Sequence, residues 1–311
     1  MNRKGYLLLV FILLISLSFR LYINYFIPIT QQINLLVIFM GLANLILIFY
    51  IIQRLANYKI GLLTTLLYAI SPWAAYLEVA ASPYIILLTF LLVLYVGTQA
   101  LNVSKKFSLM LAILVIVFFI YRLNQITIFS DVGLINAVNS FRGETNQTIF
   151  VPLSKVIENR YIYFSEHLLF NVLKQFTPAT YFTNQVRLLG FSFASPIYVG
   201  LLIPFLFGLV KSIRSVPRSS ITEVIAITAL LMFPSILSKD SPDLSRLILI
   251  SPVIFFVINS GISEFIINYK RKLFRFLLFF TLFMVILQFV TTISDIAVRE
   301  SVRLQMFLNQ K

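Results

Sequence analysis

The densest run of polar side chains in this chain is Lys239-Asp240-Ser241-Pro242-Asp243-Leu244-Ser245-Arg246, squeezed between two long apolar stretches. Its residue types are those of a group-transfer site. A carboxylate, from Asp240 or Asp243, takes the proton of an attacking hydroxyl when it lies within hydrogen-bond reach. The guanidinium of Arg246 is a planar donor fork suited to a lipid phosphate. Each has a plainer use. Asp243 can cap the helix that follows by accepting from its first backbone amides, and Arg246 can reach the membrane surface from a helix end.

Other charged residues stand at comparable positions. The 11 acidic residues begin only at Glu78. That glutamate follows Ala69-Ile70-Ser71-Pro72-Trp73-Ala74-Ala75-Tyr76, where the proline and the only tryptophan read as a turn at a membrane interface. Arg20 sits near the end of the first apolar segment with no acid close in sequence. An ionisable residue there is a candidate for ligand binding, and extension to the headgroups explains it equally well. Glu166 and His167 are an acid and a base side by side, but neighbours on a helix point about 100° apart. The chain has no cysteine, and His167 is its one histidine. No disulfide partner follows, and a thiolate or histidine-built metal site is not expected. Neither a glycine-rich phosphate loop nor a nucleophile elbow is present.

What must hold these residues is set by composition. Hydrophobic residues make up 59% and charged residues 12% of the 311, against roughly 45–50% and about 25% in a soluble domain. The apolar residues fall into continuous runs, without the alternation of barrel strands, so the spectrum of choices narrows to membrane-spanning helices. The expected fold is all-α, a polytopic bundle with nine spans near 5–26, 33–53, 60–77, 83–101, 107–121, 196–211, 221–237, 247–266 and 273–293. The first follows Arg3 and Lys4 and reads as a retained helix rather than a cleaved leader. Three regions result: an N-terminal membrane region over 1–121 with five spans, an extracytoplasmic loop over 122–195, and a C-terminal membrane region over 196–311 with four spans and a short external tail.

The net charge of +14 would suggest nucleic acid in a soluble protein, but its distribution makes it an orientation signal. One set of alternate loops holds Arg3 and Lys4, Arg54 and Lys59, Lys105 and Lys106, Lys211, Arg214 and Arg218, and Lys270, Arg271, Lys272 and Arg275. The opposite short loops, 27–32, 78–82 and 238–246, hold only Lys239 and Arg246. The N-terminus is therefore expected in the cytoplasm and the C-terminus outside, in a multi-pass protein of the plasma membrane with the lipid bilayer as its partner and no nucleic acid. Loop 122–195 is too long for the charge rule and falls outside by alternation. Its aromatic-rich part, Tyr161 to Phe182, reads as amphipathic helix lying along the interface. Glu78, Asp131, Glu144, Glu158, Glu166, Asp240 and Asp243 are then external, while Glu223 and Glu264 lie at cytoplasmic helix ends. Carboxylate chemistry is expected to face outward.

The order of four local motifs resembles the GT-C superfamily of polytopic glycosyltransferases, which includes protein O-mannosyltransferases and aminoarabinose transferases. Ser18-Phe19-Arg20-Leu21-Tyr22 resembles the arginine closing that family's first helix. Gly61 to Trp73, GLLTTLLYAISPW, resembles its third helix with a Ser-Pro-aromatic end. Phe176-Thr177-Pro178 through Gly190 to Lys211, with Ile203-Pro204-Phe205 and Gly208-Leu209, resembles the passage from the external loop into the next helix. Ser241-Pro242-Asp243-Leu244-Ser245-Arg246, with Ile250-Ser251-Pro252 and Ser260-Gly261, resembles a Pro-His-x-x-Arg turn leading into a helix. The chain departs from the family where a first external loop supplies an aspartate: the region between its first two helices has no acid. Ala74, Val79 and Pro83 stand near the places of a histidine, an arginine and a glutamate, and Asp243 stands for the histidine of the later turn.

The resemblance implies sugar transfer from a polyprenyl-phosphate-linked sugar to an extracytoplasmic hydroxyl, with a divalent cation as a candidate cofactor. Arg246 and Arg20 are then the substrate-binding candidates for the donor phosphate, and Glu78, Asp240 or Asp243 the catalytic base. A catalytically inactive relative that binds lipid or a partner membrane protein is the reading from another class. A transporter would need ionisable residues at mid-membrane in paired broken helices, and the spans hold few such residues away from their ends.

Overall fold

The computed structural model describes residues 3–26, 35–101, 104–122, 126–128, 131–148, 152, 159–183, 187–188, 191–192, 195–215 and 218–300. The expected first loop at 27–32, Glu158 and the tail beyond 300 lie outside the described residues.

The described chain is helical apart from one short antiparallel hairpin, β1 (Arg187–Leu188) with β2 (Phe191–Ser192), which pairs Arg187 with Ser192 and Leu188 with Phe191. The N-terminal region forms α1 (Arg3–Phe26), α2 (Leu35–Leu55), α3 (Tyr58–Ala69), α4 (Pro72–Val79), α5 (Pro83–Ala100) and α6 (Lys105–Arg122). The middle contributes α7 (Val132–Thr148), α8 (Arg160–Gln175) and α9 (Pro178–Phe182). The C-terminal region contributes α10 (Leu202–Ser215), α11 (Arg218–Ile236), α12 (Leu244–Leu247), α13 (Ser251–Ile267) and α14 (Lys272–Asp295).

Five of these stretches are long and apolar enough to cross a bilayer: Gly5–Phe26, Leu35–Leu55, Pro83–Ala100, Leu244–Ile267 and Lys272–Val298. Their outer surfaces fit lipid rather than water. α1 exposes Leu7, Val10, Phe11 and Leu14, and α14 exposes Phe276, Phe279, Phe283 and Ile286. Apolar surface on that scale has no place facing water.

The other four of the nine expected spans do not stand among these five. The stretch expected as one span over 60–77 is broken into α3 and α4, bent by 56°. Proline explains the break: Pro72 offers no amide to α3 and drives Ser71 out of the helical region, to ψ 124°. α10 has 14 residues, roughly 21 Å of helix at 1.5 Å per residue, short of about 30 Å of hydrocarbon. α6 and α11, by contrast, run for 18 and 19 residues, roughly 27–29 Å of helix. The segment expected as one amphipathic helix from Tyr161 to Phe182 is α8 and α9, parted before Pro178, which opens α9.

The core gathers where α3, α4, α5 and α13 meet, around Tyr68, Trp73, Ile85 and Phe255. Trp73 is fully buried, so it is no interface anchor as its sequence context suggests. Its indole nitrogen donates to the Leu244 carbonyl at 2.7 Å, tying α4 to α12. The broken end of α3 is satisfied by side chains: the Tyr198 hydroxyl donates to the Ile70 carbonyl at 2.8 Å. Carbonyls left free at a helix end buried from water need such partners.

α10 and α13 lie in backbone contact. A Cβ at Gly208 would come 1.8 Å from the Val257 carbonyl oxygen, and one at Gly261 would come 1.9 Å from the Pro204 carbonyl oxygen. Small residues permit this approach, on which helix association within lipid depends. Gly208→Val is expected to part the two helices and lower stability by about 1–3 kcal/mol, read as a lower thermal midpoint in detergent; a midpoint equal to the parent's would contradict the close crossing.

Candidate functional site

The charged residues singled out by the sequence fall into two clusters, which differ in how much room each leaves for a ligand. The first joins Arg20 of α1 to Glu78 of α4, both with fully buried side chains. The guanidinium meets the carboxylate edge to edge: Nε donates to Oε2, and Nη2 donates to Oε1 at 2.9 Å. Nη1 donates to the Ser16 hydroxyl and to the carbonyls of Ser16 and Ala69, each at 3.1 Å. The Ala69 carbonyl belongs to the end of α3, where the helix dipole is negative and a cation is favoured. α2 closes over the pair at Gly41, where a Cβ would stand 1.9 Å from Glu78 Oε2.

Arg20 therefore does not extend to the lipid surface, and Glu78 is not an accessible external carboxylate. Burying either charge alone is costly, so they neutralise each other with fixed hydrogen bonds. Sequence reasoning missed the pairing because the partners are 58 positions apart. One signal was present: Glu78 is the only carboxylate before Asp131, and an arginine inside an apolar segment needs an acid.

The second cluster is the turn between α11 and α12. Asp243 caps α12: its Oδ1 accepts from the amides of Ser245 and Arg246 at 3.0 and 3.4 Å and also from the Ser245 hydroxyl. Its Oδ2 lies 2.7 Å from Arg246 Nε. Arg246 is largely buried and donates through Nη1 to the Pro234 carbonyl at 3.0 Å. Asp240 and Lys239 are exposed at the tip of the same turn, which contains a cis peptide at Ser241-Pro242.

The turn is held from outside by residues that sequence reading did not single out. Gln175 of α8 donates through Nε2 to the hydroxyls of Ser235 and Ser241, at 3.0 and 2.9 Å. Asn171, one helical turn earlier, donates to the carbonyls of Ile236 and Ser238 at 3.0 and 3.2 Å. Ser235 Oγ also accepts from the Asp243 amide at 2.9 Å, and Thr127 Oγ1 accepts from the Lys239 amide at 3.0 Å. The last turn of α8 is closed by α9: the Tyr181 hydroxyl donates to the Gln175 carbonyl at 2.7 Å, and the Thr180 hydroxyl donates to the Lys174 carbonyl at 2.7 Å. Burial pushes the Tyr181 phenol above its ordinary range.

Of the five residues singled out by sequence, the structure joins Arg20 with Glu78 and Asp243 with Arg246, and leaves Asp240 exposed beside the second pair. Glu166 and His167 lie on α8, where Glu166 is exposed. Among the described residues no three histidine, aspartate or glutamate side chains converge. Both oxygens of Glu78 and of Asp243 already face cationic or amide donors, so this donor set does not fit a divalent cation. No protein-family model, curated protein or solved structure matches this chain.

Gly41→Ala places a methyl group where the Glu78 carboxylate now lies and is expected to force the buried pair apart. A stability loss of about 1–3 kcal/mol should follow, measured by unfolding in detergent micelles. An alanine variant as stable as the parent would show that α2 does not close on the pair.

Proposed function

We propose that this chain moves a sugar from a polyprenyl-phosphate donor to an extracytoplasmic hydroxyl, in the manner of the GT-C glycosyltransferases it resembles. In this reading it is a nine-span protein of the plasma membrane, with a cytoplasmic N-terminus and an external C-terminus. The shorter helix α10 serves as a span through local thinning of the bilayer or flanking basic residues that reach the surface.

The observation that carries the reading is the difference among the three candidate carboxylates. Glu78 is taken up by Arg20, and Asp243 by the α12 cap and Arg246, whereas Asp240 is exposed at the tip of the turn. Asp240 is thus the base in this proposal. Its carboxylate takes the acceptor's proton, the acceptor oxygen bonds to the anomeric carbon, and the bond from that carbon to the phosphate oxygen breaks. The departing polyprenyl phosphate keeps the electron pair, and Arg246 and Lys239 balance its charge. Asp243 holds the guanidinium in place until the phosphate competes for it.

A second reading, a non-catalytic relative that binds lipid or a partner membrane protein, is favoured by the Arg20–Glu78 pair. Two residues that the resemblance would assign to phosphate and base are spent on each other.

The two readings part on one assay, with the protein in lipid nanodiscs and a radiolabelled polyprenyl-phosphate hexose. The transferase reading expects turnover by the parent and a loss of about 100-fold or more in Asp240→Asn, with lipid binding kept. Binding of the labelled lipid without turnover, under a range of hydroxyl acceptors, would reject it for the second reading.

A further inference from the structure

The second half of α8 carries its polarity the wrong way round for a helix facing water. Asn171 and Gln175 point inward and are buried, and their amides are used on the turn between α11 and α12. The outer surface of its second half is apolar: Leu169, Phe170, Leu173 and the following Phe176 are each more than half exposed. The first half is mixed, with Ser165 and Glu166 exposed there beside Tyr161 and Ile162. A helix with a mixed first half and an apolar outer surface on its second half suits a tilted position at a membrane surface, with the exposed Lys174 placed to reach the headgroups. α8 packs against α11, whose Ile227 and Phe233 are themselves exposed, so lipid-facing surface is present on both partners.

We propose that the second half of α8 is inserted in the phospholipid leaflet through Leu169, Phe170, Leu173 and Phe176, and that Asn171 and Gln175 transmit this anchorage to residues 235–243. The bilayer then sets the position of the turn that bears Asp240, Asp243 and Arg246. Asn171 and Gln175 are positioning residues: their amide groups donate to backbone carbonyls and hydroxyls of the turn. The inference needs a bilayer but no sugar transfer, so its failure is separate from failure of the enzymatic reading.

The absence of cysteine makes site-directed labelling direct. Single cysteines at Glu166, Leu169 and Leu173, carrying nitroxide labels in phosphatidylcholine proteoliposomes, report depth by collision with oxygen and with a water-soluble nickel complex. The oxygen-to-nickel ratio at positions 169 and 173 is expected to exceed that at 166 severalfold, by about threefold or more for apolar insertion of this kind. Equal nickel access at 166 and 173 would overturn insertion. Protection of 173 from both reagents would also overturn it, since a protein partner rather than lipid would then cover the face.

The coupling is read by hydrogen exchange over 235–245 in the same vesicles. Replacing Asn171 and Gln175 together by leucine should speed exchange there about tenfold, with the depth of the 173 label and exchange across α2 unchanged. Leu173→Ser, which keeps both amides and perturbs only the lipid contact, is the second variant and should speed the same amides about threefold. Unchanged exchange over 235–245 in Leu173→Ser would overturn the coupling even if the double variant does not fold.

Discussion

A charge buried inside a membrane bundle is tolerated only with a partner, and the Arg20–Glu78 pair is the point on which the N-terminal region turns. Four helices converge there. α1 brings the guanidinium and the Ser16 acceptors, α4 the carboxylate, α3 its terminal Ala69 carbonyl, and α2 the bare backbone at Gly41. The ion pair does more than neutralise charge. It fills the gap opened where Ser71 and Pro72 break α3 from α4, and supplies a donor to a carbonyl that the break leaves without its helical amide.

From that pair the order passes along α4 to the turn that carries Asp240, Asp243 and Arg246. Trp73, on the same short helix as Glu78, donates to the Leu244 carbonyl beside Asp243. The turn is fixed on its other side by Asn171 and Gln175 of α8. Asp243 and Arg246 thus sit between a rigid inner support and an outer helix whose free surface is apolar. The division is physical: the fully buried charges are matched, while Asp240 and Lys239, on the exposed tip, keep their hydration.

Much of the fold was legible in the residues, because long apolar runs have few solutions in lipid. The five helices long and apolar enough to cross a bilayer follow apolar stretches that any hydropathy reading finds, and the proline at 72 marks a break. What the sequence cannot display is which side of an apolar helix meets protein and which meets lipid, since both are hydrophobic. Trp73 therefore reads as an interface residue and proves to be core. The same ambiguity hides the inverted polarity of α8, where Asn171 and Gln175 stand one turn apart as an inward polar stripe. The capping role of Asp243 was legible because it is local, whereas the match of Arg20 to Glu78 depends on the bundle's assembly.

The most direct measurement is a double-mutant cycle on the buried pair, with Arg20→Met and Glu78→Met made singly and together and stability followed by unfolding in detergent micelles. Each single change leaves an unmatched buried charge and is predicted to cost about 3–5 kcal/mol. The double change removes both charges and is predicted to cost far less than the sum, with a coupling of about 2 kcal/mol or more. Additive losses would mean that Arg20 and Glu78 act independently, and the account of the bundle built on their pairing would be wrong.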